Sequence, residues 1–327
     1  NSHPLSPDNT DGILNSYSFI DFDKDLNSFF IRKGTWEINS PIFFPKDASL
    51  VIEPGTEILF NNGAYILMRG PIDLKGTPLN PIVLRSKDKN KYWQGLIVLN
   101  AQSKSSIKHS KILDTTSVVR NGWNLTGAIT FYNSDVVVEN SIFKNNIAED
   151  ALNIIDSEFE ISSTSFHNAT SDFIDADYSD GIITKVHMEN SLGDGLDLSG
   201  SSVHLAASNF TNIRDKAISV GENSNITIVN ININQVGTGL AVKDGSHAFA
   251  NNLRIDSASY SGIAVYRKKP VYNYASSVVN NLSVRESENN YIVQNGNTLE
   301  LDGSLVEPQS VDIDLLYKTI MKKNLNE

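Results

Sequence analysis

Cysteine is absent from the 327 residues of this sequence, which excludes disulfide bonds, thiolate metal sites and a cysteine nucleophile. No apolar run is long enough to span a bilayer, so membrane insertion is not expected. Positive charge is also scarce: 27 Lys and Arg against 38 Asp and Glu give a net charge of -11. The average field repels phosphate groups, which makes nucleic acid an unexpected partner. An anionic substrate would have to meet a local basic site.

What the sequence does contain is a short phrase that returns about every 22 residues between Ala128 and Tyr266, as in a repeat array. Its seven versions read AITFYNS, ALNIIDS, FIDADYS, GLDLSGS, AISVGEN, GLAVKDG and GIAVYRK. The second and fourth residues of each phrase are apolar, which is the alternation of a β-strand with one buried side. We therefore expect these residues to point inward. The third and fifth residues are expected to face outward and to carry the chemistry.

Short coils whose strands stack on their counterparts in the next coil predict an all-β solenoid, a parallel β-helix. A second strand column follows the first with the same period, so two sheets are expected. The last segment has apolar residues near helical spacing and predicts a C-terminal capping helix. The expected domains are an N-terminal arm and cap over residues 1–33, the β-helix over 34–309 and the C-terminal helix over 310–327.

The run IEPGTEILF, with later coils of the type NxxGDGLDLSG and NIRDKAISVGENS, resembles the pectate-lyase-like proteins across residues 34–305. The resemblance implies a single-stranded right-handed parallel β-helix. That superfamily contains polysaccharide lyases, galacturonan hydrolases, uronan epimerases and non-enzymatic adhesins, so the resemblance specifies the fold better than the reaction.

Aspartates are densest in the neighbouring coils SDFIDADYSDG and GDGLDLSG. By register Asp175 lies opposite Asp197 at about 4.8 Å, and Asp177 lies one outward position along, about 7 Å away. Adjacent carboxylates repel each other unless a cation, a shared proton or a cationic side chain compensates. Asp175, Asp177 and Asp197 therefore form either a Ca²⁺ site or an acid and base pair for glycoside hydrolysis. A solvated acidic ladder is the alternative without function.

Two or three coils further on, the same outward surface becomes basic, at Lys216, Lys243, Arg267 and Lys268. Lys216 falls in the column of Asp194, which it is positioned to neutralise. Lys243 and Arg267 flank Tyr266 on one face. Such a basic edge would attract a polyuronate, although ordinary solubility also explains surface lysines.

Aromatic side chains near this face, among them Trp123 and Tyr132, offer flat area for stacking on sugar rings. Packing of loops on the sheet is their alternative role. The histidines show no metal-ligand spacing.

The leading hypothesis is a bacterial polysaccharide lyase that cleaves an acidic, uronate-containing exopolysaccharide by β-elimination. The polar start of the chain, without methionine, favours export, so a secreted or periplasmic enzyme is expected. In elimination, neutralising the substrate carboxylate acidifies the neighbouring C5 proton, which a base then removes.

The resemblance implies a calcium or neutralising site in the aspartates and a basic catalyst nearby. It assigns Lys243 or Arg267 as the base, Tyr266 as proton donor, and Asp175, Asp177 and Asp197 as the neutralising carboxylates, of which Asp175 and Asp197 also count as catalytic. Substrate binding is expected of Lys216, Lys268, Asp194, Trp123 and Tyr132.

Three further hypotheses remain open. An inverting glycoside hydrolase would use two of the aspartates around a water, and a uronan epimerase would share the proton abstraction of the lyase. A non-catalytic, glycan-binding or adhesive β-helix would use the same charges and aromatics only to hold a glycan. The sequence specifies neither the sugar nor the oligomeric state.

Overall fold

The computed structural model of the chain describes residues 9–120 and 122–319. It divides into two compact units, Asn1–Ala169 and Thr170–Glu327. Residues 1–8 of the predicted arm and residues 320–327 of the predicted C-terminal helix lie outside the described residues. The predicted boundaries after residues 33 and 309 stay predictions. Within the described ranges no helix has the length and apolar character needed to cross a membrane.

The first unit consists of short strands preceded by one short helix. Its elements are α1 (Thr10–Ser16), β1 (Ile20–Asp23), β2 (Ser28–Ile31), β3 (Thr35–Ile38), β4 (Ile42–Phe43), β5 (Ser49–Ile52), β6 (Glu57–Phe60), β7 (Ile66–Met68), β8 (Ile72–Lys75), β9 (Ile82–Ser86), β10 (Leu96–Leu99), β11 (Ser105–Lys108), β12 (Ser110–Thr115), β13 (Val119–Arg120), β14 (Trp123–Asn124), β15 (Gly127–Tyr132), β16 (Val136–Glu139), β17 (Ile142–Asn146), β18 (Asp150–Ile155), β19 (Glu158–Ser162) and β20 (Ser165–Ala169).

The second unit continues with strands, three of them long, and ends in a helix. Its elements are β21 (Asp172–Asp177), β22 (Asp180–Thr184), β23 (His187–Ser191), β24 (Leu196–Ser199), β25 (Ser202–Ala206), β26 (Asn209–Gly221), β27 (Asn225–Lys243), β28 (His247–Tyr266), β29 (Ser276–Arg285), β30 (Asn289–Val293), β31 (Thr298–Leu301), β32 (Ser304–Leu305) and α2 (Ile313–Thr319).

Each unit is a stack of coils in which a strand pairs in parallel with its counterpart one coil later. In the first unit β15, β16 and β17 pair with β18, β19 and β20. In the second, β21 and β22 pair with β24 and β25, and β23 with β26. The apolar positions of the phrase point inward as predicted: Leu152 and Ile154, like Leu196 and Leu198, are fully buried. The predicted parallel β-helix is therefore confirmed.

Each coil has three strand columns, not the two that the sequence predicted. The segment predicted as one second strand bends at a residue in the left-handed region. In the earlier coils it forms two strands with two residues between them, and in β27, β28 and β29 the strand continues through the bend. One residue bends the chain without a Pro or Gly signal, and Asn tolerates this conformation better than most residues. The bend residues are Asn140, Ser163, Lys185, Ala207, Asn230, Asn252 and Asn281.

Side-chain ladders run from coil to coil along the corners of the stack. At the bends, the Asn252 and Asn281 amides donate to the Oδ1 atoms of Asn230 and Asn251 at 2.8 and 3.2 Å, so asparagine side chains link neighbouring coils. A buried serine ladder lies at another corner, where the first strand column leads into the second. The hydroxyls of Ser201, Ser224 and Ser246 each accept the backbone N–H of the serine one coil earlier, at 2.9 to 3.1 Å.

The predicted C-terminal helix is confirmed as α2. The Asp312 carboxylate accepts the Leu315 N–H at 2.9 Å, which satisfies one free donor at the start of the helix. Ile313 and Leu316 are buried against Tyr260, Ala264 and Ile292. The helix therefore lies on the outward side of the first strand column.

Candidate functional site

The outward side of the first strand column is covered over much of the second unit. Ser219, Ala241 and Ala264 of the third-position row are fully buried, whereas Asp175 and Asp197 are half-buried. The expectation that the whole row faces solvent is wrong. Thr130 and Asn153 at its start are also buried, and α2 packs over its later coils. The accessible part of the row is its acidic middle, Asp175 and Asp197.

Asp175, Asp177 and Asp197 are all half-buried, and together they are called the acidic face. Asp175 and Asp197 are direct Cα partners on β21 and β24, as the register predicted. Asp177 is the partner of Ser199, whose hydroxyl donates to Glu222 Oε2 at 2.9 Å. Asp175 and Asp197 are half-exposed carboxylates side by side, and Asp177 lies next to them. Carboxyl groups in this arrangement can serve as a general acid and a general base.

Lys216 is buried among carboxylates. Its ammonium lies 3.1 Å from Asp194 Oδ1 and 2.5 Å from Asp215 Oδ2, and its backbone N–H donates to Asp194 Oδ1 at 2.9 Å. The predicted contact with Asp194 is confirmed. Burial disfavours the charge of Lys216, but Asp194 and Asp215 outweigh burial and raise the pKa of Lys216 well above its ordinary value. Burial in turn raises the pKa of the Asp194 carboxyl, against the pull of Lys216.

Lys243 is also buried, and its side chain extends back along the face toward earlier coils. Its ammonium donates to Ser219 Oγ at 3.0 Å and lies 3.7 Å from Asp197 Oδ1. The path is open because residue 221 is glycine: a Cβ there would lie 2.7 Å from Lys243 Cε. Burial disfavours the charge, but Asp197 and then Tyr317 raise the pKa of Lys243 above its ordinary value. Lys243 is therefore an ion-paired ammonium at the edge of the acidic face.

Tyr266 was expected to face solvent, but its side chain is fully buried. Its hydroxyl shares a 2.6 Å hydrogen bond with the hydroxyl of Tyr317 on α2. Burial and the neighbouring Tyr317 raise the pKa of Tyr266 well above its ordinary value. Covered and protonated in this conformation, Tyr266 has no path to a bound glycan.

The loop that follows β28 carries the remaining basic residues. Arg267 lies with its guanidinium carbon 4.2 Å from the centre of the Tyr274 ring, and the Lys268 ammonium lies 4.2 Å from that of Tyr317. The Asp244 carboxylate fixes the loop, since its Oδ1 accepts the N–H groups of Lys268 and Lys269 at 2.7 and 2.6 Å.

The two aromatic residues assigned to substrate binding belong to the first unit. Tyr132 ends β15 and is 44% exposed, so its ring is open to solvent. Trp123 lies in β14, and its side chain is outside the described part of the structure. Their assignment stays a prediction.

Carboxylates of Asp172, Asp194 and Asp197 have ligand atoms within 4.8 Å of one another. Two of the three already face an ammonium, that of Lys216 or of Lys243. Calcium takes about six to eight oxygen ligands and favours uncompensated carboxylates. This group does not fit a calcium ion, and the predicted calcium site at Asp175, Asp177 and Asp197 stays a prediction.

Sequence reasoning missed three residues that complete the site, two of them on β26 beside Lys216 and one on α2. Tyr317, Asp215 and Ser219 contact the two lysines or the buried tyrosine. Asp215 carried a local signal, since it precedes Lys216 directly. Tyr317 carried none, because the helix pattern does not say which coils α2 covers.

Comparison with known proteins supports the fold. A family model described as a right handed beta helix region matches residues 172–311. The coils of the second unit, which hold the acidic face and both buried lysines, fall within that match. The predicted right-handed parallel β-helix is confirmed. A search among curated proteins found no match.

Several solved structures share the fold at low identity. A variant of the catalytic domain of a GH87 alpha-1,3-glucanase with nigerose has a TM-score of 0.42 and 13% identity. The match covers 77% of this chain but only 63% of that domain. An alginate lyase from Paenibacillus sp. str. FPU-7 has a TM-score of 0.36 and 13% identity, over 76% of this chain and 93% of the lyase. The periplasmic alginate epimerase AlgG has a TM-score of 0.38 and 10% identity, over 90% of this chain and 82% of the epimerase. Likeness at this level concerns the fold alone.

Proposed function

We propose that this protein is a polysaccharide-degrading enzyme that acts through its acidic face. The observation that carries the proposal is the partial exposure of Asp175, Asp177 and Asp197 on a face whose later coils are sealed by α2. Adjacent carboxylates on an open sheet cost stability, and acid and base chemistry on a glycosidic bond is a function that requires them.

Hydrolysis is the reaction that this geometry supports best. An inverting hydrolase needs two carboxyl groups about 6.5–9.5 Å apart with a water between them. Residues two apart on one side of a strand are separated by about 7 Å, which suits Asp177 with Asp175, or Asp177 diagonally with Asp197. In this assignment Asp197, facing the Lys243 ammonium, is the base and Asp177 the acid.

Elimination on a uronate chain, the reaction preferred from the sequence, is the second candidate. Its base must accept a proton, and the buried, ion-paired Lys243 is poorly suited to that role. Arg267 is half-buried and stays the base of this scheme, with the substrate carboxylate neutralised at the basic edge. An acidic polysaccharide is the substrate in both schemes, and an exported protein would meet it outside the cell.

The test is incubation of the full chain with acidic and neutral polysaccharides, with and without a chelator, while reducing ends and ultraviolet absorbance of unsaturated uronate are followed together. Reducing ends alone identify hydrolysis, and unsaturated ends identify elimination. Asp197→Asn and Asp177→Asn should lower the rate by roughly 10²–10⁴-fold. Asp180→Asn, an exposed aspartate beyond the face, is the matched control. No product from any polysaccharide would refute the proposal and favour a glycan-binding protein without catalysis.

A further inference from the structure

A groove with a volume of about 510 Å³ follows the corner of the second unit between the third strand column and the next first-column strand. It is called the corner groove. Its floor runs in direct register through three coils, because Ser191, Ile213 and Val236 are successive Cα partners, and the next coil adds Ser257 and Ser259 to the lining. Parallel strands stack at about 4.8 Å, so the groove repeats its side chains at an almost constant step. Its volume is typical of a small-molecule site.

The lining of the corner groove is polar. The residues that precede the floor residues in the sequence carry three amides and one hydroxyl. The residues that follow the floor positions are apolar, charged and polar. These rows are Asn190, Asn212, Gln235 and Ser257, followed by Leu192, Arg214, Gly237 and Ser259. Within the first row the Asn212 amide donates to Asn190 Oδ1 at 2.7 Å, and the Ser257 hydroxyl donates to Glu286 Oε2 at 3.2 Å. Amide and hydroxyl groups both donate and accept hydrogen bonds, so the remaining capacity of the row, together with Gln235, matches a ligand with many hydroxyl groups. Gly237 lets the chain pack closely on the preceding coil, since a Cβ there would lie 2.4 Å from the backbone carbonyl oxygens of Arg214 and Asp215.

Arg214 supplies the charge of the groove. It is exposed, and within residues 9–120 and 122–319 its guanidinium has neither an ion pair nor a hydrogen bond. The adjacent carboxylate of Asp215 is bound to the Lys216 ammonium at 2.5 Å. The planar guanidinium fits a carboxylate through two parallel hydrogen bonds. An anionic group in the ligand would satisfy it.

We infer that the corner groove binds an acidic oligosaccharide, whose carboxylate pairs with Arg214 and whose hydroxyl groups bond to the amide and hydroxyl row. This goes beyond the proposed function, because the groove residues are not those of the acidic face. A polysaccharide held in the corner groove would keep the protein on its substrate between catalytic events.

The experiment is calorimetric titration of the full chain with a defined oligogalacturonate. Arg214→Gln should weaken binding by roughly tenfold or more, the loss expected for a hydrogen bond to a charged group. Lys185→Gln, which removes one exposed positive charge at another corner, should leave the affinity unchanged. Ser259→Trp, which fills the groove, should weaken binding as strongly as Arg214→Gln. A neutral oligosaccharide of the same length should bind more weakly.

Three results would overturn the inference: no binding, equal affinity of Arg214→Gln and the wild type, or displacement by inorganic sulfate at the same concentration as the oligogalacturonate. Turnover is measured on the same variants. Degradation of polysaccharide without a binding defect in Arg214→Gln would reject the groove and leave the proposed function standing. Binding that depends on Arg214, without any product, would support the groove and reject the proposed function.

Discussion

Two buried lysines, Lys216 and Lys243, balance the carboxylates beneath α2. Each is at most 6% exposed, and both contact aspartates. Removing one partner of a buried ion pair leaves the other charged without compensation, which costs more than the pair itself contributes. Of all single residues in the site, these lysines therefore matter most for stability.

Lys216→Met is expected to lower the free energy of unfolding by about 3–5 kcal/mol. Methionine fills a similar volume, but it leaves Asp194 and Asp215 without the ammonium that they share. Urea unfolding at neutral pH measures the change, with the exposed Lys185→Met as control. A loss of less than ~1 kcal/mol would mean that the carboxylates are not charged in the folded protein.

The sequence predicted one of the two lysine contacts. Lys216 stands one coil after Asp194 in the same column, so register alone brought them together. Lys243 reaches Asp197 across an intervening coil, and only because Gly221 leaves room for its chain. Register gives the position of a Cα atom, but the direction of a long side chain depends on which neighbours are small.

Among the elements, the sequence predicts that the helix α2 exists but not where it packs. Its apolar spacing predicted a helix, whereas the face that it covers depends on Tyr260, Ala264 and Ile292 from distant coils. The same limit explains the strand columns. A left-handed residue such as Ser163 bends the chain from one strand column to the next without a turn signature in the sequence.

Leu316→Ala is expected to lower the free energy of unfolding of the second unit by about 2–5 kcal/mol, because a buried leucine leaves a cavity. Leu315→Ala is the matched control on the same helix. Leu315 is 55% exposed, and its replacement should change stability by no more than about 0.5 kcal/mol.

Chemical denaturation measures both variants, and hydrogen exchange of β28 shows whether the covered strand becomes accessible when α2 loosens. Equal effects of the two substitutions would contradict the packing of α2 on the first strand column.

For the molecule as a whole, the buried ionisable groups predict loss of stability at alkaline pH. Burial raises the pKa of Tyr260 to about 12 and that of Tyr266 and Tyr317 above the ordinary 10.0. Lys216 and Lys243 are raised above 10.5 despite burial, by their carboxylates. Above about pH 10 the unfolded chain releases protons that the folded chain keeps, so the free energy of unfolding falls as pH rises.

Below pH 10.0 the contribution of these groups to the free energy of unfolding is expected to be constant. It should then decrease steadily as pH rises toward the pKa values of the groups in the folded protein. Urea unfolding across this range measures it, with tyrosinate absorbance to report ionisation. Tyr317→Phe removes one titrating hydroxyl and should make the decrease shallower. Stability that does not fall above pH 10.0 would show that these groups are accessible to solvent.

The repeat made the overall architecture predictable. Every coil has the same pattern of inward apolar residues, and seven copies of the pattern identify it even where a single coil is irregular. The covered and uncovered parts of the outward row were not predictable. They depend on segments outside the repeat, such as α2, which packs against Ala241 and Ala264.

The parallel pairing within each unit also has a kinetic consequence. Strands such as β24 and β26, or β15 and β18, pair with partners that lie a single coil away in the sequence. Chain closure for each new coil is therefore a short-range event, and its entropic cost does not grow with the number of coils already formed. Each unit can nucleate at any well-packed coil and grow by adding neighbours, so its folding rate should depend on the best coil and not on the length of the stack.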